Sequence, residues 1–104
     1  MQIAIVLYPG FTALDAVGPY EVLRLLPEAE VRFVGAAPGP VVADSGVLFL
    51  GVTHSYAETP EPDIVLVPGS GPRTATTMAD RQLTDWLRRC TRRRDGRRRS
   101  APGR

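Results

Sequence analysis

Residues 3–8 read Ile-Ala-Ile-Val-Leu-Tyr, apolar on both of the faces that a strand presents in alternation. A strand of that kind must be covered on both sides, which points to a parallel sheet flanked by helices. Pro9 and Gly10 end it. A second run of the same character, Ile64-Val-Leu-Val67, closes on Pro68-Gly69-Ser70-Gly71-Pro72. Two such strands in one short chain leave little choice of architecture.

The segments between them fit the same plan. In residues 11–26 the spacing predicts a helix with Pro19 in its first turn, where a missing N–H costs nothing. Val17, Tyr20 and Leu23 share a face, Leu26 extends it, and Pro27 stops it. Residues 30–35 alternate, Val31 and Phe33 against Glu30 and Arg32, as in a half-buried strand. Val41-Val42 and residues 47–52 flank a turn at Asp44-Ser45-Gly46 and read as a short ribbon, and residues 59–62 read as loop. Asp80 is an N-cap for a last helix, with Leu83, Trp86 and Leu87 on one face and Arg88 and Arg89 near its C-terminus.

The order strand, helix, strand, ribbon, strand, helix predicts an α/β fold, a right-handed, flavodoxin-like parallel sandwich. Chemistry in such sheets sits beyond the carboxyl ends of the strands, near the switch in strand order. Two loops reach that crevice, residues 9–18 and residues 68–72. The fold then calls for another central strand, but the chain after Leu87 is arginine, glycine, serine and proline, which cannot form one. We therefore expect a partial domain over residues 1–89 and an arginine-rich tail, disordered or frameshifted, over residues 90–104.

Charge divides the chain at the same point. Residues 1–87 carry four arginines against ten acids, a formal −6, whereas residues 88–104 carry nine arginines against Asp95, a formal +8. The chain has no lysine and no asparagine, as expected of a GC-rich coding sequence. The tail lacks aromatic residues for stacking and any groove-reading motif, so a nucleic-acid partner is not expected. No run reaches transmembrane length, the start lacks a basic signal-peptide region, and Cys90 stands alone; a cytoplasmic protein is the expectation.

Few residues carry chemistry. Asp15 follows a buried strand by a short loop, and Leu14 and Val17 flank it with no basic neighbour. Such a carboxyl tends to keep a proton and donate a hydrogen bond; the plainer role is to satisfy N–H groups at a helix start. Glu21 reads as a solvated acid. Gly69-Ser70-Gly71 lies at a strand-to-helix junction, where backbone N–H groups can converge on an oxyanion. Ser70 has no general base and no nucleophile elbow around it, so it suits a backbone donor, or a turn chosen for tight geometry alone. His54, the lone histidine, reads as an exposed loop residue. No ligand cluster suggests a metal and no G-x-G-x-x-G follows the first strand, so no cofactor is expected. Cys90, among arginines at a helix end, reads as an incidental exposed thiol.

Residues 5–23, with the Leu14-Asp15-Ala-Val-Gly18-Pro19-Tyr-Glu21-Val-Leu segment at their centre, then Val42-Ala-Asp-Ser-Gly46 and Asp63-Ile-Val-Leu-Val-Pro68-Gly69-Ser70-Gly71, together resemble the ThiJ/PfpI family. The first segment is similar in particular to isonitrile hydratases and to the sensor domains of AraC-type transcription regulators. The resemblance implies a class I glutamine-amidotransferase-like sandwich, commonly a homodimer, acting on a small-molecule substrate or ligand. It implies that Asp15 is the acid partner of a catalytic cysteine and that the Ser70 backbone N–H serves the oxyanion. Ser70 stands where that family usually has glycine.

The family's cysteine lies in a Val-Cys-Thr-Gly or similar elbow after the next strand, and Cys90 does not match it. Codons TCT GCA CCG GGN for residues 100–103, after a G, read in the neighbouring frame as Val-Cys-Thr-Gly. A shifted reading frame is thus the expected origin of the tail. The chain as it stands is expected to be inactive: the first part of an isonitrile-hydrating enzyme or, alternatively, of a regulator's sensor domain.

Overall fold

The computed structural model describes residues 1–69 and 81–100, with residues 91–100 described as backbone only. In chain order the elements are β1 (Gln2–Val6), α1 (Ala13–Leu23), β2 (Glu30–Gly35), β3 (Gly39–Val42), β4 (Phe49–Val52), β5 (His54–Ser55), β6 (Ile64–Leu66) and α2 (Arg81–Ser100). Four strands form one sheet in the order β5-β2-β1-β6, and every pairing in it is parallel. The register sets Ile3 between Val31 and Ile64, and Ile5 between Phe33 and Leu66. Strands β3 and β4 form a separate antiparallel ribbon. This is the α/β parallel sandwich that the two-sided apolar runs predict.

The core sits on β1. Ile3, Ala4, Ile5 and Val6 are all fully buried, and Leu7, Tyr8 and Phe11 continue the buried run into the loop. Helix α1 covers the sheet with Ala16, and Tyr20 sets its ring 5.3 Å from that of Phe33. Helix α2 contributes Leu83, Trp86 and Cys90, a spacing that keeps all three on one helical face. Trp86 packs 5.2 Å from the Tyr56 ring and donates from Nε1 to the Thr59 carbonyl at 2.8 Å. A buried indole N–H needs such a partner.

Four details depart from the sequence reading. Pro19 lies well inside α1 rather than in its first turn. The helix starts at Ala13 because Thr12, with extended backbone at φ −81° and ψ 114°, is tied to a second loop at that point. Gly18, lacking a Cβ, relaxes the restriction that a proline places on the residue before it. His54 is not in an exposed loop: it is half-buried and pairs with Val34 in β5, a strand too short to leave a periodic signal. The second ribbon strand begins at Phe49, leaving Val47 and Leu48 exposed in the turn.

The fourth concerns Cys90, which is 6% exposed and belongs to the core rather than to the surface. The backbone helix continues past it to Ser100, through residues whose arginines are good helix formers. Asp80 lies outside the described residues. Among the described residues β6 is hydrogen-bonded on its β1 side only, and no helix is long and apolar enough to cross a membrane.

Two features at the rim of the sheet are testable. A Cβ on Gly35 would lie 2.8 Å from Val52 Cγ2 and 3.1 Å from the Leu7 carbonyl oxygen, so Gly35→Ala must displace backbone or ribbon. We expect a loss of roughly 1–3 kcal/mol, seen as a lower urea midpoint at unchanged slope. The Glu58 carboxylate accepts the Ser55 N–H at 2.8 Å and is held below its ordinary range, first by that bond and then by the Ser55 hydroxyl. Its contribution to stability is present above the ordinary carboxylate range and is lost as pH falls through the lowered value. Glu58→Gln should flatten that part of the acid limb of a stability–pH profile.

Candidate active site

The carboxyl ends of β1 and β6 deliver two loops to the same place, and a short set of hydrogen bonds clasps them. Thr12 donates its backbone N–H to the Gly69 carbonyl at 2.7 Å. In return the Gly69 N–H donates to Asp15 Oδ2 at 3.2 Å. Tyr8, buried at the end of β1, donates its hydroxyl to the Pro68 carbonyl. A third segment joins through Thr12 Oγ1, which donates to Asp44 Oδ2 at 3.2 Å, and through the Asp44 N–H, which donates to the Phe11 carbonyl.

The local sequence explains the geometry. Pro9-Gly10 breaks β1, and Gly10 takes φ 90°, a left-handed value that favours glycine. The chain then enters α1 so that Asp15 falls in the first turn, where the helix dipole favours a carboxylate. Gly69 needs its missing side chain for a different reason: a Cβ there would stand 3.3 Å from Asp15 Oδ2. The close approach of the carboxylate to the turn is therefore built into both loops.

Of the residues singled out from the sequence, the structure brings Asp15 and Gly69 together. Ser70 lies outside the described residues. Asp15 is exposed rather than enclosed by apolar neighbours, so the burial on which the sequence reading relied is missing. It stands in the first turn of α1, and its carboxylate accepts from a second loop. Cys90 lies on the core face of α2 with Leu83 and Trp86. His54 has Nδ1 2.9 Å from Thr53 Oγ1, at the far edge of the sheet from β6. Among the described residues no group of acids, histidine and cysteine could hold a metal ion.

Sequence reasoning missed Tyr8 and Thr12. A tyrosine closing a fully apolar strand does carry a signal, because a buried hydroxyl requires a partner, but the partner is far away in sequence. Thr12 gave no signal, since its role is carried largely by its backbone.

A parallel sheet with a carboxylate and a glycine turn facing each other across adjacent strand ends defines an α/β sandwich of the class I glutamine-amidotransferase-like type. No family model matches the chain. It is 36% identical over 88 residues to the isonitrile hydratase of Pseudomonas putida, covering 85% of this chain and 38% of that protein. Among solved structures, a ThiJ/PfpI family protein from Pseudomonas syringae superposes with a TM-score of 0.76 at 28% identity, over 83% of this chain and 36% of that one. A DJ-1 superfamily protein from Salmonella typhimurium superposes with a TM-score of 0.74 at 22% identity, over 86% and 49%. A candidate transcriptional regulator from Vibrio parahaemolyticus gives 0.72 at 16%, over 89% and 52%, which speaks to fold alone. The chain is similar to the N-terminal portion of ThiJ/PfpI family proteins. It spans well under half the length of the isonitrile hydratase that it matches.

The clasp can be tested through the carboxylate. Asp15→Ala removes the acceptor of the Gly69 N–H, and hydrogen exchange at that amide should accelerate while the amides of β1 are unchanged. The cost in global stability should stay under about 1 kcal/mol, because water can reach the exposed group.

Proposed function

We propose that this chain supplies the acid half of an isonitrile-hydrating site and, by itself, is inactive. The observation that carries the reading is the Gly69 N–H donating to Asp15 Oδ2 at 3.2 Å, which fixes a carboxylate at the crevice beside β1 and β6. Isonitrile hydration joins water to R–N≡C and yields R–NH–CHO. A thiolate adds to the terminal carbon, and that carbon takes a proton to give the thioimidate R–N=CH–S. Water then adds to the same carbon, the nitrogen takes its proton, and the thiol leaves. Asp15 is the group that gives and takes these protons, and the Ser70 backbone N–H is the neighbouring donor.

The thiol is the part this chain does not provide. Cys90, the one cysteine, faces the core beside Leu83 and Trp86 and is 6% exposed. A buried structural thiol is inert, whereas a nucleophile needs access and a group that stabilises its thiolate. The complete domain works in a reducing compartment such as the cytoplasm, where that thiol stays available.

Two experiments check the reading. The purified chain, given a small alkyl isonitrile, should form N-substituted formamide no faster than buffer does; formation that Cys90→Ser abolishes would overturn the proposal. Residues 1–69 should also function when they replace the matching stretch of the Pseudomonas putida isonitrile hydratase. That chimera should hydrate isonitriles, and Asp15→Asn should lower its rate by roughly 100-fold or more. A well-folded chimera that binds isonitriles without turning them over would instead favour a sensor role of the kind found in regulators.

A further inference from the structure

A cleft of about 360 Å³ opens at the carboxyl ends of β1 and β2, on the opposite side of β1 from the Asp15–Gly69 clasp. Leu7 and the buried Tyr8 and Tyr56 contribute to it from the sheet side, Ala36 and Pro38 lie along its rim, and Val41 closes the end towards the ribbon. Among the described residues, none of the side chains that line it is charged. We infer that this cleft is a binding site for a neutral, ring-sized apolar molecule, separate from the Asp15 site and independent of the function proposed for it.

The cleft exists because β2 and β1 part company with their neighbours at different points. Leu7 still follows β2, donating its N–H to the Val34 carbonyl at 2.9 Å, and Tyr56 donates to the Gly35 carbonyl at 3.1 Å. Gly35 is packed too tightly for any side chain. The chain then arches away from the sheet over residues 36–38 and turns into the ribbon at Gly39, whose φ of 139° suits glycine. The ribbon is bound back by the Gly10 N–H on the Val42 carbonyl at 2.9 Å.

The walls are fixed before anything binds. Tyr8 is held through its hydroxyl on Pro68, and the Tyr56 ring packs at a tilt against Trp86. Preformed apolar clefts of about 300–1,000 Å³ at the carboxyl ends of parallel strands are the usual form of small-molecule sites. A dry cavity of about 150 Å³ suffices for benzene, so the space accommodates a six-membered ring with a short substituent. An ionic ligand would lose its hydration here with no opposite charge in the lining to replace it.

The test uses the 104-residue chain and three matched probes: cyclohexanol, cyclohexylammonium and cyclohexanecarboxylate. Cyclohexanol should give saturable amide shifts at Ala36, Ala37, Gly39 and Tyr56, and a change in the emission of Trp86, the sole tryptophan. The two charged probes should bind roughly tenfold more weakly or worse. Ala36→Leu and Val41→Phe, each filling the cleft from a different side, should weaken cyclohexanol binding by a similar factor. Leu25→Ala, on the exposed end of the α1 segment, should leave it unchanged. The inference is overturned by the absence of saturable shifts, by equal responses to all three probes, or by undiminished binding in either filled variant with a native circular dichroism spectrum.

Discussion

Strand β1 has no solvent-facing side, and both of its edges are hydrogen-bonded. From Ile3 to Val6 every residue is fully buried, with β2 along one edge and β6 along the other. Each large aliphatic side chain removed from water in this way contributes roughly 1.5–3 kcal/mol. Burial on that scale determines where the strand lies, and everything functional is attached to its carboxyl end. Tyr8 continues β1 into the crevice, and Gly10 and Phe11 bring the chain round into α1. The position of Asp15 is therefore set by a strand whose buried residues, Ile3 to Val6, have no polar atom to contribute beyond the backbone.

The clasp between the loops adds direction to that placement. A parallel pair such as β1 and β6 aligns its carboxyl ends but leaves the loops beyond them free to diverge. Here the Thr12 and Gly69 peptide groups face each other, one N–H donated from Thr12 to Gly69 and one from Gly69 to the Asp15 side chain. The Gly69 amide satisfies a carboxylate while its carbonyl caps the entry to α1. One small turn thus orients the helix start and the acid together. Displacing either partner disturbs the other, which explains the glycine at residue 69, where a Cβ would crowd the carboxylate.

Much of this was legible in the sequence, and what failed did so for identifiable reasons. The unbroken apolar run at Ile3–Tyr8 identified a buried parallel strand, and Ile64–Val67 identified a second parallel strand, although β6 is only half-buried and Val67 is exposed. The alternation at Glu30–Gly35 identified β2 to the residue. Periodicity could not find β5, whose two residues are defined only by their neighbours in β2. Pro19 misled because propensity treats proline as a boundary, whereas α1 is started upstream by a tertiary bond at Thr12. Asp15 and Gly69 were each visible as candidates, but their contact joins residues from opposite ends of the described domain, and no local pattern encodes that. The burial of Cys90 was missed since its arginine neighbours suggested solvent, although Leu83, Trp86 and Cys90 already stood at i, i+3 and i+7.

That last spacing bears on the chemistry. A helix that covers a sheet does so with one face, and Cys90 occupies the same face as Leu83 and Trp86. Residues 91–100 contain no apolar side chain, so Cys90 is also the last residue of α2 able to serve that face. The formal charge of the chain changes sign within the same turn of helix, from a net acidic body to an arginine run. A thiol used in this way covers the core as a structural cysteine does, and a nucleophile needs access that such a position does not give.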